Sequence, residues 1–379
     1  MAVLRWVGGG VGLVLLLGTW MSVFATLVVP RGRATRLTSK VSRAVSATFS
    51  VAVKRASTYE AKDRLLAQVG PMTLLVMLLV WLLLFLVAFS LLLWPISGGG
   101  WSAAVREAGS SLFTLGFASR AFASVTAVDF LAATTGLIVV ALQIAYLPVL
   151  YGAFSRREAL VTTLQSRAGS PAWGPEILAR HQSVGILDNL RVFYGEWETW
   201  AAEVAESHSN YPILVSFRSP HHLRSWVLAL LAVLDSAALY HALQGDEAPS
   251  ETRLCLRMGF TALRDIADVA GLDYNPDPDP DTEHLQLTYE EFLQGIARLE
   301  AVGFPMARSA EEAWPHFRGW RVNYENIAYA LAESVVAPPA PWSGARRRLR
   351  GLEIEPLRPI DRRPGGEVRH IDVPKLSAD

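Results

Sequence analysis

A single cysteine, Cys255, serves the whole 379-residue chain. That excludes an intramolecular disulfide framework and any thiolate zinc cluster. Net charge is missing too: 35 Lys and Arg balance 35 Asp and Glu, so no global field points to nucleic acid as a partner. The eight histidines are scattered, with neither HExxH nor another paired metal spacing. A dinucleotide glycine fingerprint and a Walker loop are also absent, since the Gly-Gly-Gly runs at 8–10 and 98–100 sit within or beside apolar segments. No internal repeat is evident across the long apolar segments. No cofactor or metal is therefore expected. His221, His222 and Asp235 read as caps and satisfied core polar groups, without a nucleophile–base spacing, and the chain is not expected to be an enzyme.

What is present is apolar. Hydrophobic residues make up 51 % and charged residues 18 %, and mean hydropathy is +0.26. That is too apolar for a wholly soluble protein of this size and too charged for a wholly embedded one. Three segments decide the class: 7–29, 71–96 and 130–152. Each exceeds the roughly 20 residues a helix needs to cross a hydrocarbon core of about 30 Å. A basic cluster follows the first segment instead of preceding it, so 7–29 reads as a retained span and not a cleaved signal peptide. The stretch 225–243 is apolar nearly all round but carries Asp235 and His241; it reads as a buried core helix.

Residues 31–68 hold nine Lys/Arg (31, 33, 36, 40, 43, 54, 55, 62 and 64) against Glu60 and Asp63 alone. Between the second and third spans, Arg106 and Arg120 are balanced by Glu107 and Asp129. The positive-inside rule then puts 31–68 in the cytoplasm, the N-terminus outside and the chain after the third span in the cytoplasm, in a cell (inner or plasma) membrane. Within the basic loop, Val41, Val45, Phe49 and Ala52 recur at helical spacing. The segment is either an interfacial amphipathic helix or a solvated basic helix.

Beyond residue 155 the pattern is helical. Ser155-x-x-Glu158, Thr288-x-x-Glu291 and Ser309-x-x-Glu312 read as capping boxes, and Pro175 suits a first helical turn. Phe193, Trp197, Trp200 and Val204 form one apolar stripe. The Asp-Pro alternation at 271–284 fails the calcium-loop template, with Pro278 and His284 where Gly and Glu belong, and reads as a stiff connector. A last helix at about 320–335 leads into a Pro- and Arg-rich tail.

The segment 101–117, WSAAVREAGSSLFTLGF, is too short to cross a bilayer. A half-crossing helix ending at a glycine is stable at membrane depth only when buried in protein or facing water, and its negative dipole end favours cations. Span, short linker, pore helix, Thr114-Leu115-Gly116-Phe117-Ala118, then span resembles the pore module of potassium channels over about 71–155. The resemblance implies a selectivity filter at Thr114, Leu115, Gly116, Phe117 and Ala118, a hinge or gate at Gly136 and Pro148, and a cavity lined by Thr134, Thr135 and Gln143. It also implies a homotetramer passing a monovalent cation. The pattern departs from the family's at Ala118 for Gly, Phe117 for Tyr and Arg120 for an acidic residue.

The expected fold is an all-α membrane protein: three transmembrane helices, a re-entrant pore loop and a soluble all-helical C-terminal domain. Its expected divisions are a first span at 1–30, a cytoplasmic basic loop at 31–70, a pore module at 71–154 with its pore helix at 101–114, a cytoplasmic helical domain at 155–336 and a tail at 337–379. The expected function is a cation pore, or else a non-conducting scaffold or sensor built on the same module.

Overall fold

The computed structural model describes residues 2–29, 35–118 and 122–344. The expectations placed on Arg31, Arg33 and Arg120, and on the arginine-rich tail from Arg346 onward, fall outside the described residues. Regular structure within them is entirely helical. The chain forms two compact units, Met1–Ser57 with Leu65–Gly152, and Thr58–Arg64 with Ala153–Asp379.

The first unit is built from α1 (Ala2–Leu27), α2 (Arg36–Val53), α4 (Val69–Ile96), α5 (Trp101–Leu112) and α6 (Ala123–Ala168) as far as Gly152, while most of α3 (Tyr59–Leu66) belongs to the second unit. Helices α1 and α4 run antiparallel. Gly8 faces the Trp94 ring, Gly12 lies against Ala88, and Trp81 Nε1 donates to Ser22 Oγ at 3.1 Å. A Cβ on Gly12 would stand 2.8 Å from the Ala88 carbonyl oxygen, so only glycine permits this approach.

Among the described residues, four helices are long and apolar enough to cross a membrane. Burial separates them. Only 22 %, 33 % and 28 % of the apolar windows of α1, Tyr59–Ile96 and α6 is buried, against 89 % for α9 (Trp226–Gln244). Exposed apolar surface costs about 25 cal/mol per Å² in water, so the first three need lipid or protein on their outer faces, and the fourth already has a protein shell. This is the pattern of a multi-pass membrane protein with α9 as a core helix.

In the second unit α9 is surrounded by α7 (Gly174–Val184), α8 (Leu190–Asn210), α10 (Ser250–Ala270), α12 (Ala310–Arg321) and α13 (Glu325–Ser334), with α11 (Tyr289–Glu300) against α7. Gly174 and Gly259 touch α9 directly; a Cβ on them would meet Asp235 Cβ at 2.7 Å and Leu234 Cδ2 at 2.4 Å. The stripe Phe193, Trp197, Trp200 and Val204 is buried. Thr288 and Ser309 form reciprocal capping boxes with Glu291 and Glu312, and Pro175 sits in the first turn of α7.

Several expectations change. No helix starts at Ser155: α6 continues unbroken from Ala123 to Ala168, through Pro148. The backbone amides of 155–158 are already bonded inside a helix, so the Ser155 hydroxyl has no orphan donor to cap. The pore helix ends at Leu112, two residues early. A break at 322–324 separates α12 from α13 where one helix was expected from about 320. The tail starts later as well. Residues 337–344 pack into the second unit, with Trp342 3 % exposed and edge-on to Trp173. Burial of so large a ring outweighs the extended, proline-rich local preference of 338–341.

Candidate functional site

Helix α5 turns back along α4. Trp101 and Trp94 meet edge to face, with ring centroids 5.7 Å apart. Two turns further on, Gly109 lies opposite Leu86, eight positions back along α4. The last α5 carbonyl, of Leu112, abuts Gly136 of α6 so closely that a Cβ there would stand 2.0 Å from its oxygen. Helix α5 therefore descends about 18 Å beside α4 and ends level with the thirteenth residue after Ala123. That length falls short of a hydrocarbon core of about 30 Å. Ser111 Oγ donates to Asp129 Oδ1 at 2.7 Å and ties α5 to the first turns of α6.

The chain leaves α5 through a paired C-terminal cap. Leu115 N–H donates to the Ser110 carbonyl (2.8 Å) and Thr114 N–H to the Ser111 carbonyl (3.0 Å). These are the bonds of the Schellman motif, whose left-handed position is usually glycine. Here it is Thr114, at φ +54°. A β-branched residue in that region is strained, and strain of this kind concentrates at functional sites. Gly116 also has positive φ, +71°, with open space where its Cβ would be. Ala118 is not in the positive-φ region, and its N–H donates to Ser110 Oγ at 3.0 Å. The strained left-handed position is thus Thr114, four residues before Ala118.

Thr114, Leu115, Gly116 and Phe117 are all exposed in the single chain, and Ala118 is half-buried. Phe113, Leu115 and Phe117 present 45 %, 62 % and 58 % of their surface, so the apolar side chains next to Gly116 in sequence are exposed. The Arg106 guanidinium lies 6.0 Å from the Phe117 ring centre. Of the residues expected to line a cavity, Thr134 is exposed, but Thr135 and Gln143 are buried inside the chain's own packing. Gly136 is explained by the close approach of Leu112, and Pro148 is an exposed position within a continuous helix.

The second unit holds buried charges that sequence patterns did not mark. Arg321, fully buried, donates to Asp235, to Glu325 Oε1 (2.9 Å), to the Tyr329 hydroxyl (2.8 Å) and to the Trp342 carbonyl (2.8 Å). Tyr324 adds a hydrogen bond to Asp235 at 2.9 Å. This hub explains how a carboxylate sits mid-way along the apolar α9. Glu176 bridges Arg180 and Arg298 at 2.7 Å each. Arg157 of α6 donates to Glu158, His208 Nε2, and the Leu214 and Phe217 carbonyls. An arginine only donates, so His208 Nε2 is the unprotonated acceptor and Nδ1–H points to the Val204 carbonyl at 2.8 Å. His181 repeats the pattern with Arg167 and the Ile177 carbonyl. Burial, then the neighbouring Arg157, holds His208 well below the usual histidine pKa. His221 and His222 stack on each other, half-buried, and His222 lies 3.6 Å from Glu60. Asp235 is occupied by the Arg321 hub, so the three groups named from sequence do not converge. Among the described residues, no three His, Cys, Asp or Glu are grouped as a metal site.

Helix α3 enters this unit through Arg218, which donates to Asp63 Oδ1 (2.6 Å), the Tyr59 hydroxyl (2.7 Å) and the Val335 and Val336 carbonyls. Nothing local in 58–64 announces the pairing, which spans 155 residues between Asp63 and Arg218. In comparison with known proteins, no family model, curated protein or solved structure matches the chain.

Proposed function

We propose that this chain is the subunit of a channel-like membrane protein, a homo-oligomer, tetrameric by the potassium-channel resemblance, with a monovalent-cation path at Thr114–Ala118. The observation that carries the reading is the half-crossing α5 ending in an exposed, strained turn. Exposed apolar side chains beside positive-φ residues are costly in an isolated chain, and neighbouring copies arranged around an axis would use them. The carboxyl end of α5 points its negative dipole toward that turn, which favours a cation there. The second unit is the cytoplasmic assembly or regulatory domain, on the charge bias of 31–68.

The test is potassium and sodium flux through the purified protein in liposomes, wild type beside Gly116→Val. Valine at φ +71° disfavours the turn without touching α4 or α6. Loss of flux with the oligomer intact on sizing supports the path. Equal flux in both proteins, or none from an assembled wild type, rejects it.

One observation favours a non-conducting scaffold instead. The Ser110 carbonyl and hydroxyl hold the turn against α5, and the Arg106 cation lies beside Phe117, an arrangement that braces the loop and places positive charge near its mouth. Under that reading the oligomer forms but carries no current.

A further inference from the structure

Before Glu60 the chain contains no Asp or Glu at all. Apart from Arg5 on α1, its described cations in that stretch lie on α2 or directly after it. Arg36, Lys40 and Arg43 occupy a single stripe of α2 (i, i+4, i+7), and Lys54, at the C-cap, returns to the same azimuth after about five turns. All four are exposed, and so is the neighbouring Arg55. The opposite side of the helix holds Val41 and Val45, buried in the first unit's core, with Phe49 packed beside them. The apolar stripe of this amphipathic helix is therefore already satisfied by protein, and its basic stripe points directly away from that packing.

The buried arginines of the second unit are paired. Arg157, Arg180, Arg218, Arg298 and Arg321 each have a carboxylate partner. Among the described residues none of the α2 cations has one; Arg43 reaches only the Ser39 carbonyl, at 3.3 Å. Among the described residues, then, nothing in the chain supplies their counter-charge. The position of α2 points to a source. It lies in sequence between α1 and α4, two candidate spans, and is fastened to the end of α1 by Ser22–Thr35 and Thr26–Thr38 hydroxyl contacts, both 3.2 Å. A helix held this way stays at the level of the lipid headgroups, where long basic side chains extend to phosphate.

We propose that the α2 stripe Arg36, Lys40, Arg43 and Lys54 is a docking surface for anionic phospholipid headgroups. The inference rests on the membrane-spanning part of the proposed function and not on conduction. Each basic residue near an anionic surface contributes about 1 kcal/mol, roughly a fivefold preference. The attraction fades within a Debye length of about 8 Å at physiological salt, so it selects lipids in direct contact with α2.

The test places the full-length protein in bilayer nanodiscs of equal parts phosphatidylcholine and phosphatidylglycerol, extracts it gently, and counts retained lipids by native mass spectrometry. The wild type should keep phosphatidylglycerol over phosphatidylcholine by at least about fivefold. The combined variant Arg36→Gln, Lys40→Gln, Arg43→Gln, Lys54→Gln should fall to the bulk ratio. Arg253→Gln with Arg257→Gln, two exposed second-unit positions, should change nothing. A wild type without preference overturns the proposal, as does a variant that retains it. Recovery of the wild type in the alkaline-washed soluble fraction, not in membranes, rejects the spanning reading itself and the lipid site with it. Circular dichroism of the variant guards against misfolding, and the substitutions touch no buried contact.

Discussion

Arg157 and His208 face each other across 3.0 Å in the interior of the second unit, and the arginine fixes the tautomer of the histidine. The imidazole Nε2 can only accept there, and a second proton on it would point at a guanidinium. His208 is thus held neutral, its pKa depressed first by burial and then by Arg157.

Stability of the second unit should consequently fall with acid. Above the ordinary histidine value of 6.5 both folded and unfolded His208 are neutral, and no penalty exists. Below it the unfolded chain takes up a proton that the folded chain refuses, so stability drops as pH falls, by up to about 1.4 kcal/mol per pH unit for one site. His181, lowered for the same first reason, adds to the slope. Urea midpoints of the full chain between pH 7.5 and 5.5, followed by amide exchange in α8 and α9, should show the decline. His208→Gln keeps an acceptor for Arg157 and should flatten it in part; an unchanged slope would contradict the assignment.

Thr114→Gly separates strain from chemistry. Removing the side chain at φ +54° relieves about 1–2 kcal/mol, and the turn after α5 should be better protected from exchange. If the hydroxyl lines a cation path, flux should drop at the same time. Higher stability with unchanged flux would make Thr114 a cap alone.

Gly136→Ala should act in the opposite direction. The added carbon meets the Leu112 carbonyl oxygen, which belongs to helix backbone and cannot rotate away. An overpacking cost of about 1–3 kcal/mol is expected, read as a lower melting temperature of the detergent-solubilised protein and weaker protection of α5. Wild-type stability in the alanine variant would show that α5 docks elsewhere on α6.

Asp235→Ala removes the main counter-charge of Arg321 from an interior site. Breaking one side of a buried pair costs about 3–5 kcal/mol, a large share of a typical domain's stability. The second unit should unfold at a much lower urea concentration, and Asp235→Asn should recover part of the loss by keeping an acceptor for Tyr324 and Arg321. Equal stability of all three proteins would remove the hub from the account of this core.

The sequence by itself determined what depends on near neighbours. Runs 7–29, 71–96 and 130–152 announce long apolar helices because span length is a local property. Thr288 and Ser309 cap their helices because a capping box closes within four residues. The Trp197 stripe is buried because helical periodicity alone sorts its face from the solvent side. The short helix before Thr114 and the glycine turn after it were legible on the same terms. Tertiary structure decided the rest. Asp235 could not be matched with Arg321, nor Asp63 with Arg218, because such partners lie 86 and 155 residues apart and each is one of many charges of its type. Trp342 looked like part of a proline-rich tail until a slot beside Trp173 and Phe317 accepted it. The Gly136 and Leu112 contact likewise depends on the depth at which α5 stops. Apolar length made α1, α4, α6 and α9 alike; Asp235 and His241 already marked α9 as a core helix in the sequence, and the packing around it supplied the protein shell, because whether an apolar helix meets protein or lipid is decided by what surrounds it.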